Sequence, residues 1–317
     1  MKPPYQITPE ILKLISSISE KIGEVNAKYL VKSSPTLRKQ NQIKTIHSSL
    51  RIEGNTLTKG QITAILENKR VIGPEKDVLE VLNALEVYKN IKALKPERES
   101  DFLKAHQLLL KKLIVDSGKY RNQSVGIVKG TIIEHVAPPP EKVPYLMKHL
   151  FNYLKDPTEL TLIKSCVFHY EMEFIHPFVD GNGRMGRLWQ TLILMQDYPI
   201  FEYLPFETLI AKNQNEYYLA LSISDKEGKS TKFIEYMLGI IDQSLSELLE
   251  NSTKKLRVKD RVQLFLENNK NEFKRKDYLK YFKDISSATA SRDLKYAVEN
   301  NMILKRGDKK TSTYRKK

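Results

Sequence analysis

Between Thr8 and Glu250 apolar residues return every three or four positions, and strand-length runs never alternate with helices. This periodicity constrains the fold most. Apolar side chains at 3.6-residue spacing line one side of a helix. Without strand–helix alternation a parallel α/β sheet has no source of strands, so a mainly α fold is expected. The pattern predicts a helix over 8–31, with Ile11, Leu12, Leu14, Ile15, Ile18 and Ile22 on its stripe after a Thr8-Pro9-Glu10 start. A second covers 41–52 and stops at Gly54. Thr58 and Gln61 form a capping box for the next. Further helices are expected over 75–94, with Val78, Leu82, Leu85 and Ile91 on one side, and over 100–114, 142–155, 158–173, 184–196, 213–224 and 230–250. One stretch departs from this period. Over 118–137, Gly118, Gly126 and Gly130 punctuate the β-branched runs SVGIV and TIIEHV, so a β-hairpin is expected there, ended by Pro138–Pro140.

The C-terminal region differs in charge. Residues 254–317 hold 20 Lys/Arg against 8 Asp/Glu, a net of +12 out of +15, leaving +3 for residues 1–253. After a linker at 251–257 (NSTKKLR), helical patterns cover 258–268, 274–283 and 287–300, and MILKRGDKKTSTYRKK reads as strand, Gly-Asp turn and strand. This is the outline of a winged helix-turn-helix. SSATASRDL matches the start of a recognition helix, with Arg292 and Lys295 following its small residues, and Lys305, Arg306, Lys309 and Lys310 fall in the wing. Such an arrangement suits DNA and equally a docking module for a protein. The expected domains are an N-terminal helical region (1–74), a helical core (75–250) and the winged helix (258–317).

Cys166 is the only cysteine, which excludes an intrachain disulfide and points to a reducing compartment. MKPPYQITPE has no signal-peptide pattern, and no run approaches 18 apolar residues, so a cytoplasmic protein without a membrane span is expected.

The densest chemistry lies in HPFVDGNGRMGR, residues 176–187. Gly181, Gly183 and Gly186 spell the dinucleotide fingerprint, but no βαβ unit surrounds them. Gly181 and Gly186 have phosphate-loop spacing, but Arg187 and Leu188 stand where Lys and Ser/Thr belong. A glycine-rich turn that opens a helix still exposes backbone N–H groups at the positive end of the helix dipole. Arg184 and Arg187 at that end oppose the dipole unless an anion joins them. Asp180 suits Mg²⁺ alongside phosphate oxygens, and a neutral His176 suits proton removal from an attacking hydroxyl. The composition is that of a nucleotidyl- or phosphoryl-transfer site; the alternative is a tight interhelix turn with surface Arg–Asp pairs.

The same stretch resembles the Fic family signature H-x-F-x-[DE]-G-N-G-R-x-x-R without mismatch. The resemblance implies a helical enzyme that transfers AMP from ATP to a hydroxyl side chain of a target protein. His176 would be the general base and Asp180 the Mg²⁺ carboxylate. Gly181, Asn182, Gly183 and Arg184 would cradle the α- and β-phosphates, with Met185 and Gly186 in the same loop, and Arg187 would hold the γ-phosphate. Phe178 would anchor the loop. The 118–137 hairpin resembles the family's flap, which aligns a target chain by strand addition. Tyr217 and Tyr218 in NEYYLAL would lie near the adenine, or else line a half-buried helix face. Upstream, SLRIEG (49–54) fits the family's inhibitory motif [ST]-x-x-x-E-[GN], so Glu53, with Ser49, would pair with Arg187 and exclude ATP. The family often dimerises. A different reading makes the chain a DNA-binding regulator whose nucleotide site only senses. Other relatives move other phosphate-linked groups or reverse the transfer. His169, Glu173 and His176 share one helical face, which suits a metal or, for His169, helix packing; His135 falls in the hairpin.

Overall fold

Helix α1 (Pro9–Tyr29) starts where the Thr8 hydroxyl accepts the Ile11 amide, and buries Ile11, Ile18, Ile22 and Val25. Leu12 was expected on the same stripe but faces solvent, because it lies about 100° around the helix from that line. The computed structural model describes residues 2–29, 35–129, 132–253, 258–269, 272–282, 285–308 and 312–316. The chain forms two compact units, one of residues 1–31 and 40–249, the other of 32–39 and 250–317.

Helix α2 (Pro35–Ile52) ends in a turn at Glu53–Gly54, where Gly54 takes φ +90. The capping box of Thr58 and Gln61 opens α3 (Lys59–Leu66). In α4 (Glu75–Lys89) the expected apolar stripe is met only in part: Ile91, just past the helix, is buried, and Val78 and Leu85 are half-buried. Val81, Ala84 and Val87 are buried together with Asp77, Glu80 and Asn83, while Leu82 is exposed. The physical reason is that these three polar side chains have partners inside: Asp77 and Glu80 hold residues 55 and 56, and Asn83 donates to the Leu109 and Lys111 carbonyls.

Helix α5 (Glu99–Leu109) precedes the hairpin of β1 (Gly126–Lys129) and β2 (Ile132–Val136), which pair antiparallel with Gly126 opposite Val136 and a register shift after Ile127. His135 stands on β2 opposite Ile127. Helices α6 (Val143–Leu154), α7 (Thr161–Ile175), α8 (Asn182–Asp197), α9 (Glu207–Lys212), α10 (Gln214–Glu227) and α11 (Thr231–Thr253) follow. Helices α7 and α8 approach closely at Gly186, where a Cβ would lie 2.6 Å from His169 Cδ2. Beneath them Phe102 packs against Phe151, Phe168, Phe178 and Trp189 at ring distances of 5.0–6.1 Å. No helix among the described residues is long and apolar enough to cross a membrane.

In the second unit α12 (Val258–Asn268), α13 (Arg275–Tyr281) and α14 (Ser287–Glu299) precede the antiparallel strands β3 (Ile303–Arg306) and β4 (Thr313–Lys316). Ser286 caps α14 by accepting the Thr289 amide. Arg292, Lys295, Lys305 and Arg306 are exposed, whereas Lys309 and Lys310 lie outside the described residues. Of the expected linker, residues 251–253 continue α11 and 254–257 lie outside the described residues. Val262, Phe265, Tyr278, Leu294 and Ile303 form the core of this unit. Inside it Asp293, fully buried, accepts two bonds from Arg261 (2.6 and 2.8 Å) and one from Tyr278 (3.1 Å). Removing one partner of such a group is far more costly than the pair is worth. Asp293→Ala should therefore lower the stability of this unit by about 3 kcal/mol. Hydrogen exchange should show α12 and α14 amides opening roughly 100-fold faster, with α7 and α8 unchanged; equal rates would show the pair contributes nothing.

Candidate active site

Helix α7 stops at His176 because Pro177 lacks an amide and disfavours helical backbone in the residue before it. His176 takes a left-handed conformation (φ 50, ψ 61), and its amide closes on the Met172 carbonyl at 3.0 Å. The last carbonyls of the helix are met by buried Arg121. Its Nε donates to His176 O at 2.7 Å and its Nη2 to Ile175 O at 3.3 Å, while its amide donates to Pro177 O at 2.9 Å.

The loop then turns inward. Phe178 is fully buried and lies parallel to the His106 ring at 3.6 Å. Asn182 closes the turn, with Oδ1 accepting the Phe178 amide (3.0 Å) and Nδ2 donating to the Phe178 carbonyl (2.9 Å). Gly181 adopts φ +87, and a Cβ there would come within 2.6 Å of Leu110 Cδ2. His106 Nδ1 accepts the Gly118 amide at 2.8 Å, so Nε2 carries the proton and donates to the Asp180 carbonyl at 3.0 Å. Burial pushes His106 down to about 4, which keeps this neutral tautomer.

Helix α8 begins at Asn182 and carries two buried arginines. Arg184 donates through Nη2 to Asp180 Oδ1 (2.8 Å) and through Nη1 to Glu80 Oε1 (3.1 Å). Burial works against ionised Asp180, but the Arg184 guanidinium outweighs it and holds the carboxyl below the usual range. Arg187 is fully buried. Its Nε donates to Ser49 Oγ (3.1 Å), and its Nη2 to Ser49 O (3.0 Å) and Glu53 Oε1 (2.6 Å). Burial opposes its charge, but the Glu53 carboxylate raises its proton affinity above the ordinary arginine value. A side chain at Gly183 would run into Glu53 Oε1 and come within 2.9 Å of Arg187 Nη1. The Glu53 carboxylate thus lies at the positive end of α8, between the Gly183 backbone and the Arg187 guanidinium. Arg187 Nη1 is buried and has no hydrogen-bond partner among the described residues.

Two other helices hold the turn that presents Glu53. Glu80 Oε2 on α4 accepts from Asn55 Nδ2 (2.8 Å), and Asp77 Oδ2 accepts the Thr56 amide (2.8 Å). From α10, Gln214 Nε2 donates to the Ile52 carbonyl (2.9 Å) and to the Tyr218 hydroxyl (3.2 Å).

The structure therefore brings Ser49, Glu53, Asp180, Gly183, Arg184 and Arg187 into one site. It turns Met185 into the core and sets Gly186 against α7. It separates the two tyrosines. Tyr217 is buried with its hydroxyl 3.1 Å from His169 Nε2, while Tyr218 is partly exposed. His169 Nδ1 bonds Gln190 Oε1 at 2.7 Å, and burial pushes this histidine down to about 3. Its role is packing between helices; among the described residues no group of three His, Cys, Asp or Glu is placed to hold a metal ion. Asp180 fits a divalent cation in a narrower way. Its bonds gather on Oδ1 and its side chain is 42% exposed. One carboxylate holds Mg²⁺ only when phosphate oxygens supply further ligands. His106, Arg121, Glu80, Asn55 and Gln214 had no motif to single them out, because each acts by bonding a carbonyl or side chain distant in sequence.

The Fic/DOC family profile matches residues 96–194. The chain is similar to the protein adenylyltransferase Fic of Nematostella vectensis, 29% identical over 77% of this chain and 58% of that protein. It is similar also to the protein adenylyltransferase fic-1 of Caenorhabditis elegans, 29% identical over 71% of this chain and 44% of that one. The chain spans about half the length of these curated relatives. Among solved structures, a crystal structure of a Fic family protein from Desulfovibrio desulfuricans G20 matches 100% of this chain and 98% of its own, at 38% identity and a TM-score of 0.77. With that match from end to end, the chain belongs to the Fic family.

Proposed function

We propose that this protein is a Mg²⁺-dependent protein adenylyltransferase that moves AMP from ATP to a Ser, Thr or Tyr hydroxyl of a target protein, itself included, and that Glu53 holds it in check. The observation that carries this reading is the Glu53 carboxylate at the start of α8, bonded to Arg187 and lying against Gly183. An anion already occupies a place shaped for one. The names of the curated relatives agree with it.

In this mechanism the α8 N-terminus and Arg184 orient the triphosphate of ATP, and Arg187 receives its γ-phosphate once Glu53 withdraws. Asp180 would hold Mg²⁺ jointly with phosphate oxygens, and the ion would neutralise charge on the leaving pyrophosphate. His176 takes the proton of the target hydroxyl. The hydroxyl oxygen bonds the α-phosphorus, the bond from that phosphorus to the β-bridging oxygen breaks, and pyrophosphate leaves with the electron pair. Tyr218, partly exposed on α10, and buried Tyr217 below it are the proposed neighbours of the adenine. The hairpin of β1 and β2 offers an edge for the target chain. A homodimer is compatible with this reading.

A second reading is favoured by the net charge of +12 over residues 254–317. There the second unit is a winged helix whose α14 and β3–β4 meet DNA, and the Fic site senses nucleotide. The same loop would also serve removal of AMP or transfer of another phosphate-linked group. Labelled ATP separates these readings.

Glu53→Gly should raise self-labelling from ATP labelled at the α-phosphate at least about 10-fold, the effect of restoring a charge-assisted phosphate contact. His176→Ala in that background should abolish it. Equal labelling with and without Glu53 would sink the brake, and persistent transfer would remove His176 from the base role. Glu53→Gln leaves buried Arg187 without its carboxylate, so the melting temperature without nucleotide should fall by about 5 °C, a loss of about 2 kcal/mol. ATP with Mg²⁺ should recover that loss in the variant and change the wild type little, as read by differential scanning fluorimetry. For the second unit, duplex DNA affinity measured by fluorescence anisotropy should fall by at least about 10-fold between 50 and 200 mM salt. No binding at low salt would leave protein docking as its role.

A further inference from the structure

The Arg121 guanidinium reaches two parts of the molecule that the reaction must bring together. Nη1 donates to the Gln123 carbonyl at 2.9 Å and Nη2 to the Pro138 carbonyl at 2.5 Å. These residues flank the hairpin, one three positions before β1 and the other two positions after β2. Nε and Nη2 meet the His176 and Ile175 carbonyls, and the Arg121 amide meets Pro177 O. One side chain, 3% exposed, therefore clamps both stems of the hairpin and the backbone on either side of the His176 α-carbon. The four described partners of the guanidinium are backbone carbonyls, so its planar fork, rather than charge pairing alone, sets the geometry.

We propose that Arg121 is a positioning residue that fixes the His176 imidazole relative to the β1–β2 hairpin, so that a target strand aligned on the hairpin presents its hydroxyl to the base. This rests on the reading of His176 as that base. Two physical points support it. His176 is a non-glycine residue in left-handed backbone, a costly conformation that persists only where its surroundings over-determine it. The bond from Arg121 Nε to His176 O is one of the contacts that hold it, together with the His176 amide on Met172 O. Second, a displacement of about 1 Å in a catalytic group costs about 100-fold in rate. The shared guanidinium ties the hairpin stems to the loop and so limits how far one can shift against the other.

The test uses the full chain in the Glu53→Gly background, comparing Arg121→Lys and Arg121→Gln. Lysine keeps the charge but has no planar fork; glutamine keeps neither. Self-labelling kcat is expected to fall about 100-fold in Arg121→Gln and by less in Arg121→Lys, with KM for ATP within about two-fold, the pattern of a lost transition-state geometry. Hydrogen exchange should accelerate together at the amides of 126–129, 132–136, 175, 176 and 178. Unchanged kcat in Arg121→Lys and Arg121→Gln, or a fall in kcat matched by an equal loss of ATP affinity, overturns the proposal. If Glu53→Gly itself transfers no AMP, the adenylyltransferase reading fails, and amide exchange still decides the coupling. Joint loss of protection in hairpin and loop supports it, and loss in only one overturns it.

Discussion

Two arginines buried one turn apart at the positive end of a helix set the terms for everything around them. Neither Arg184 nor Arg187 can stay charged inside the protein without an anion, and the dipole of α8 adds to the demand. Arg184 is answered by Asp180 and Glu80, Arg187 by Glu53. That requirement draws Glu80 of α4 inward, beside Asp77 and Asn83, which have partners of their own. It also explains why α2 must end where it does. Had its last turn fallen one residue earlier or later, the Glu53 carboxylate would leave the space beside Gly183.

The site divides its work between two kinds of residue. One kind carries the groups that, on the proposed reading, meet substrate: His176, Asp180 and the guanidinium of Arg187. The other kind shapes the main chain. His106, Asn182 and Arg121 each bond backbone atoms of the loop, and Phe178 drives its ring into the aromatic core around Phe102. A loop held from within in this way is preorganised, and its amides need no rearrangement before they meet charge. Of the main-chain holders, His106 is the most sharply defined. A proton on Nδ1 would set it against the Gly118 amide, so only one tautomer serves.

The sequence made some of this plain for physical reasons. HPFVDGNGRMGR is contiguous, so its chemistry can be read from twelve neighbouring letters. The helix periods and the glycine-punctuated hairpin are local as well, and the capping box at Thr58 needs only residues three apart. Where the sequence misled, tertiary partners decided. Val78, Leu82 and Leu85 looked like the inner face of α4, yet Leu82 is exposed while Asp77, Glu80 and Asn83 are buried on their polar bonds. Elsewhere the sequence was merely silent: Tyr217 and Tyr218 are adjacent letters that it treats alike, and only the fold shows one hydroxyl at His169 in the interior and the other at Gln214. Arg121 and Gln214 were silent because a donor to a distant carbonyl leaves no spacing behind it.

Gly183 has a consequence for how such a protein changes over generations. The missing side chain leaves room for Glu53 Oε1 and, on the proposed reading, for a phosphate when Glu53 withdraws. On that reading any larger residue there would displace Glu53 and exclude the phosphate in one stroke. If Glu53 is such a restraint, a lineage that sheds it while keeping the loop's chemistry would vary the turn at the end of α2, so the route to a permanently active descendant would be narrow and lead away from the signature loop.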